Sequence, residues 1–297
     1  MVKSVFSIKD LENLSGIKAH TLRIWEKRYD LLQPQRTDTN IRYYNLVSLQ
    51  KLLNIKYLNQ NGYKISKIAK LSQVELAEKI NEVSRNDLPH SLALADFKMA
   101  MINFDANHFH ETHKRLSENL DFSQIFMDVF IPFLNELGLL WQTDSVRPSH
   151  EHFITGLIKQ IILSNIQEIH AQQKLTTHKG VFVLYLPENE IHDIGITYLY
   201  YELLKNNYKT IYLGQSLPLE SLKDFDDIYD EITFVSYFTV KPDPEELDNY
   251  LLQFDSQINP NQKHKLWLLG RQTNYITGKL PVQVQKFDSI QSLVDKI

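Results

Sequence analysis

The apolar spacing of this chain changes character once, near Lys179, and that change confines it to more than one architecture. Up to about Gln173 apolar residues recur at helical steps, as in Phe122, Ile125, Phe126, Val129, Phe130, Phe133, Leu134 and Leu137, which lie on one stripe. Beyond Lys179 short β-branched and apolar runs take over at 181–186, 210–213, 231–238, 265–269 and 282–284, with amphipathic helical stretches between most of them. Strand alternating with helix predicts a parallel sheet covered on both faces, a doubly wound, Rossmann-like α/β domain of the flavodoxin type. A length of 297 residues suits two or three domains.

The helical part divides again. Ser7 is a candidate N-cap for a helix over 8–14 with Gly16 near its stop, and a second helix is expected over 19–29. Pro34 and Asp38-Thr39-Asn40 mark turns between two short extended pieces, after which residues 47–61 and 65–71 return to helical spacing around Gly62. Residues 80–90 are polar and contain Pro89, which makes them the expected linker. Breaks near 119–121 and 143–148 then predict about four helices, a small bundle. The expected plan is a winged helix-turn-helix over 1–79, a linker over 80–90, a helical bundle over 91–175 and the α/β domain over 179–297.

Charge agrees with that division. Residues 1–79 hold 14 Lys+Arg against 7 Asp+Glu, while the remainder holds 18 against 29. A basic head on an acidic body fits a polyanion-binding module joined to a domain of another kind. The chain has no cysteine, which excludes disulfides, thiolate metal sites and a cysteine nucleophile. It has no unbroken run of 18 apolar residues, so no membrane span is expected, and no signal-peptide pattern at MVKSVFSIKD, so the expected compartment is the cytoplasm.

Two helices joined by a tight turn and followed by a loop rich in Arg and Tyr form the physical plan of a winged helix-turn-helix, whose second helix enters the major groove while the wing lies along phosphates. The helix offers Lys18, His20, Thr21, Arg23, Lys27 and Arg28, and the wing offers Arg36, Arg42, Tyr43 and Tyr44. Leu22 and Trp25 read as packing residues. In the α/β part, Glu190-x-His192-x-x-Gly195 directly follows the first strand, at the carboxyl end where such sheets bind ligands. An imidazole with a carboxylate two residues before it suits a transition-metal ligand. His108, His110 and His113 read as surface residues, with only the last two on one helix face and no carboxylate paired to them. Tyr198, Tyr200 and Tyr201 read as sheet packing. No Gly-rich phosphate loop, nucleophile elbow or metalloprotease helix is present.

The head resembles the MerR family through Ser15-Gly16-Ile17, the run Thr21 to Tyr29, Pro34-x-Arg36-Thr37 and Arg42-Tyr43-Tyr44. Trp25 followed by Arg28-Tyr29 resembles the subgroup fused to cobalamin-binding domains. Asn40 stands where that family usually has Gly in the wing, and Asn tolerates positive φ. Glu190-x-His192-x-x-Gly195 is similar to the Asp-x-His-x-x-Gly motif of cobalamin-binding domains, Gly214 and Gly270 end the second and fourth strands as that family has them, and Trp141-x(9)-Glu151-His152 resembles its bundle signature.

The resemblance implies a cobalamin, adenosylcobalamin in the regulators, with His192 on the cobalt, Trp141, Glu151 and His152 over the upper face, and Gly195, Gly214, Ser236 and Gly270 around the tail. Ser236-Tyr237-Phe238 and Gly270-Arg271 depart from the family's small residues. The expected function is a DNA-binding regulator, a repressor rather than an enzyme, that binds double-stranded DNA as a homo-oligomer, dimer or tetramer. The bundle and α/β domain would mediate assembly, because residues 74–83 are too short for a long dimerisation helix. A regulator without cofactor, and a cobalamin carrier for methyl transfer, are the alternatives.

Overall fold

A computed structural model describes residues 5–84, 90–143, 145–172, 180–225 and 227–297. It divides into two compact units, Met1–Leu157 and Ile158–Ile297.

In the first unit, α1 (Ile8–Ser15) starts at a capping box in which Asp10 N–H donates to Ser7 Oγ and Ser7 N–H to Asp10 Oδ2, and it ends at Gly16 with φ +71°. The second helix, α2 (Ala19–Tyr29), stops where Asp30 turns left-handed at φ +51°. Strands β1 (Gln35–Arg36) and β2 (Arg42–Tyr43) pair antiparallel as the wing, and Asn40 adopts φ +64° in its turn as expected. Then come α3 (Leu46–Gln60), capped by the Asn45 side chain, α4 (Ile65–Ile68) and α5 (Gln73–Ser84). The helix expected over 65–71 thus ends three residues early, and α5 runs into the stretch expected to be a linker; residues 85–89 lie outside the described ones. Leu11, Leu14, Leu22, Leu49, Leu52 and Leu53 close the core of the head.

The bundle follows with α6 (His90–Asn103), α7 (Ala106–Ser117) and α8 (Phe122–Ile125), which passes through a π segment at Phe126–Phe130 into α9 (Ile131–Gln142), and α10 (Pro148–Gln172). Rings of Phe97, Phe109, Phe130 and Phe133 meet at centroid distances of 5.0–6.1 Å. Head and bundle helices share one unit in spite of the polar stretch at 80–90, and the buried Lys98 of α6 illustrates how. Its ammonium donates to the Leu14 carbonyl at the end of α1 (3.1 Å) and pairs with Glu136 (2.5 Å). A buried cation is tolerated only when it is met this way. Among the described residues one stretch, Phe122–Leu140, is long and apolar enough to cross a membrane, with a mean hydropathy of 1.2. The run is not unbroken, as expected, since Asp128, Asn135 and Glu136 interrupt it, and only its average passes. Its Phe126, Val129, Phe130 and Phe133 are fully buried in the bundle.

The second unit is built on β3 (Val181–Pro187), α11 (Ile194–Lys205), β4 (Lys209–Leu217), β5 (Thr233–Tyr237), α12 (Leu247–Gln253), β6 (Lys265–Leu269), β7 (Val284–Lys286) and α13 (Ile290–Val294). The five strands are all parallel in the order β4-β3-β5-β6-β7, which is the doubly wound arrangement expected. Two crossovers carry short 3-10 helices, Leu219–Phe225 and Arg271–Tyr275, rather than α-helices, and β7 falls two residues later than its apolar run suggested. The chain leaves β3 for β4 on one side and returns for β5 on the other. The carboxyl end of β3 is therefore the switch point, where doubly wound folds open a crevice.

Gly270 closes β6 at φ +100°, and a Cβ there would lie 2.3 Å from the Phe238 carbonyl oxygen. Phe238 N–H donates to Leu269 O and Phe238 O accepts from Gln272 N, so the two strand ends are laced too closely for a side chain. Gly270→Ala is expected to cost about 3 kcal/mol or more in urea unfolding of the second unit. Gly214→Asn, at φ +81° with its nearest neighbour 3.7 Å away, should cost about 1 kcal/mol or less.

Candidate nucleic-acid interface and ligand crevice

Exposure along α2 falls at His20, Arg23, Ile24, Lys27 and Arg28, steps of three, four, seven and eight that form one face, while Leu22 is fully buried beneath it. Thr21 is half-buried, and Lys18 at the N-cap is exposed and pairs with Glu12 at 3.4 Å. Arg28 sits over the Tyr29 ring at 5.4 Å. Ile24, which the sequence reading does not single out, is 53% exposed in the middle of the cationic face, where an aliphatic group can meet a thymine methyl.

The wing is fixed to this helix by one carboxylate. Glu26 of α2 accepts the Tyr44 hydroxyl through Oε1 and lies 3.6 Å from Arg42 Nε through Oε2. Tyr44 also exchanges two 2.8 Å backbone bonds with Phe6 and is 1% exposed. Tyr44 is therefore corrected from a DNA-contacting residue to a structural tie: burial first, and then Glu26, push its hydroxyl well above the ordinary tyrosine range. Arg36 is exposed and held by Asn40, its Nη1 2.6 Å from Oδ1, and Tyr43 is half-buried on the same ribbon.

In the second unit the loop after β3 brings Glu190 and His192 together as the spacing predicted. The Glu190 side chain is fully buried and that of His192 is 45% exposed, with its Nδ1 2.6 Å from Glu190 Oε1. The same oxygen accepts the Ile191 and His192 N–H groups (both 2.9 Å), and Oε2 accepts those of Thr239, Val240 and Lys241 at 3.1, 2.6 and 2.9 Å. Burial alone would raise this carboxyl, but the His192 ring and the backbone donors outweigh it and hold it at about 2. The nest at 239–241 carries no side-chain signal, so sequence reasoning missed it. Three further bonds pin the loop to the end of β4: Asn189 N to Ser216 Oγ (3.1 Å), Ser216 N to Glu190 O (3.2 Å) and Gln215 Nε2 to Ile191 O (2.6 Å). Asp193, which opens α11, pairs with Lys159 at 2.5 Å.

The Glu190–His192 pair has the chemistry of an imidazole metal ligand: a buried carboxylate on Nδ1 fixes the tautomer and makes Nε2 the more basic nitrogen, the one that would take a metal. The space beside it is a different matter. A Cβ on Gly195 would lie 2.8 Å from the Tyr237 ring, so that ring fills the berth at the start of α11. Ser236 is buried and its hydroxyl donates to Tyr185 O (2.9 Å). Glu151 and His152 stand in the first turn of α10, half-buried and exposed; the Trp141 side chain lies outside the described residues.

The other histidines depart from expectation. His108 does have a carboxylate partner, Asp96 at 3.7 Å, which holds it above the ordinary range. His113 is half-buried rather than fully at the surface: it stacks on Phe130, and burial, then the His110 charge, push it down to about 4. Tyr198 is buried and Tyr200 stacks on Tyr212 at 5.2 Å, both in packing roles.

Comparison with known proteins matches residues 6–75 to the MerR HTH family regulatory protein model and residues 93–163 to the B12 binding domain model. The HTH-type transcriptional repressor CarH of Myxococcus xanthus is 25% identical over 75% of this chain and 75% of its own. The repressor CarA of the same organism is 21% identical over 73% and 70%. Among solved structures the Methanosarcina barkeri monomethylamine corrinoid protein aligns with a TM-score of 0.51 at 12% identity, covering 67% of this chain and 94% of that one.

Because the folded Glu190 is far more acidic than an ordinary carboxyl, its contribution to stability is complete above about pH 4.5 and is lost as pH falls from there toward 2. Thermal melts between pH 6 and 3 should show this acid loss in the wild type, and Glu190→Gln should be less stable at pH 6 with a flatter profile.

Proposed function

We propose that this chain, a MerR-type helix-turn-helix domain joined to a B12-binding domain, is a cytoplasmic DNA-binding transcription regulator, a repressor whose assembly responds to a corrinoid. The observation that carries it is the alignment of His20, Arg23, Lys27 and Arg28 on one exposed face of α2, with Arg36 presented beside it on a wing that Glu26 holds in register. Arg23 and Thr21, near the start of the helix, are the base readers, and Lys18, Lys27, Arg28, Arg36 and Arg42 meet phosphates. Two copies would read two half-sites, which makes a homo-oligomer the DNA-binding form.

Bound cobalamin would supply a cobalt that accepts an imidazole nitrogen. His192 would hold it, with Glu190 fixing the tautomer and ring plane, and Gly195, Gly214 and Ser236 would bound the crevice. The residues around the crevice bind and orient, which is what a sensing domain of a regulator asks of them. A second reading, in which the sheet domain serves assembly without cofactor, is favoured by Tyr237 filling the space at Gly195.

Gel-shift titration on DNA from the chain's own upstream region tests the regulator. Affinity should fall steeply between 50 and 200 mM salt, and Lys27→Ala should reduce the log–log salt slope by about 1. Tyr44→Phe should lower stability by about 1 kcal/mol and weaken binding through a looser wing, with the log–log salt slope unchanged because no phosphate contact is lost. Absence of binding to any duplex at low ionic strength would overturn the reading. Retention of adenosylcobalamin colour after desalting, lost in His192→Ala, separates the cofactor reading from its alternative.

A further inference from the structure

The exposed face of α2 is cationic except at its centre. Side chains three and four positions apart are neighbours on a helix, which places His20, Lys27 and Arg28 around Ile24, with Arg23 at the edge of the same face; all four are exposed. Ile24 is itself 53% exposed. It is the one exposed apolar side chain of the helix, since Leu22 is buried and Ala19, Trp25 and Tyr29 are half-buried.

The surroundings of Ile24 decide what can cover it. A second copy of this face would set like charges against each other, and an aliphatic group gains nothing from a phosphate. The partner that the cations select is a polyanion. In the major groove of B-form DNA the apolar group presented among the base edges is the thymine C5 methyl. An RNA duplex offers no counterpart, because its major groove is too deep and narrow for side chains to read.

We infer that Ile24 is a specificity-determining residue that reads one thymine in each operator half-site through its methyl group. This rests on the reading of α2 as the helix that enters the major groove. The cations around Ile24 supply attraction to any duplex, and Ile24 adds discrimination that carries no charge. Removing one methyl from water favours thymine over the same base without it by about fourfold per half-site.

The test uses the full-length protein and the DNA duplexes it enriches from a random-sequence pool. Each thymine of the shared half-site is replaced in turn by deoxyuridine, which removes the methyl and leaves the base pair and its hydrogen-bonding edge intact. At one thymine per half-site the wild type should lose about fourfold in affinity for each substituted half-site. The factor should be the same at about 50 and 200 mM salt, because no phosphate contact changes. Ile24→Ala should bind the thymine duplex as weakly as the wild type binds the deoxyuridine one, and should no longer tell them apart. Alanine is the better helix former, so this variant should melt no lower than the wild type. Lys27→Ala should weaken both duplexes equally and keep the distinction. If no thymine responds to the replacement, or if the response persists undiminished in Ile24→Ala, Ile24 is not the reader, while salt-dependent duplex binding leaves the regulator reading standing. Duplex RNA held as tightly as the selected DNA overturns the inference as well. Failure to hold any DNA duplex at low ionic strength overturns both.

Discussion

Burying a carboxylate is unfavourable unless its charge is met by donors, and Glu190 meets that demand with backbone N–H groups from two separate loops as well as the His192 ring. The consequence is geometric. The loop after β3 and the loop after β5 are held at one distance, and Glu190 Oε1 fixes the Nδ1 side of the imidazole. A glutamate, one methylene longer than aspartate, reaches the 239–241 nest while keeping the ring bond. The lowered pKa is the thermodynamic trace of the same bonds.

The head uses a similar device at lower cost. Glu26 lies on the recognition helix, and its two oxygens take the Tyr44 hydroxyl and face Arg42. Through Tyr44 the tie continues to Phe6 at the start of the chain. A wing of two short strands has little stability of its own, so its angle to α2 depends on this carboxylate. A surface that must straddle a duplex needs that angle fixed before binding, because every loose torsion would be frozen at the expense of affinity.

At the carboxyl end of the sheet the imidazole of His192 is oriented by Glu190, while the ring at 237 and the glycine at 195 fit each other as closely as core residues do. Gly270, which resemblance alone assigns to a ligand, is demanded by the backbone of Phe238 whether or not anything binds. Glycine at a strand end therefore carries less functional meaning here than the spacing of Glu190 and His192.

Periodicity and spacing determined a good deal without help. Helical bounds for α2, a parallel sheet in five strands, the left-handed Asn40 and the Glu190–His192 pair all follow from local rules: 3.6-residue repeats, β-branched runs, turn chemistry and a two-residue offset. What the tertiary structure decided was which side chains survive as surface. Tyr44 and His113 went inward and Ile24 outward, because burial depends on what packs across from a residue and not on its type. The backbone nest at 239–241, the Lys98 anchor and the Tyr237 ring in its glycine seat join positions 38 to 84 residues apart. Contacts at such separations leave no local pattern, since only the completed fold brings their partners within reach.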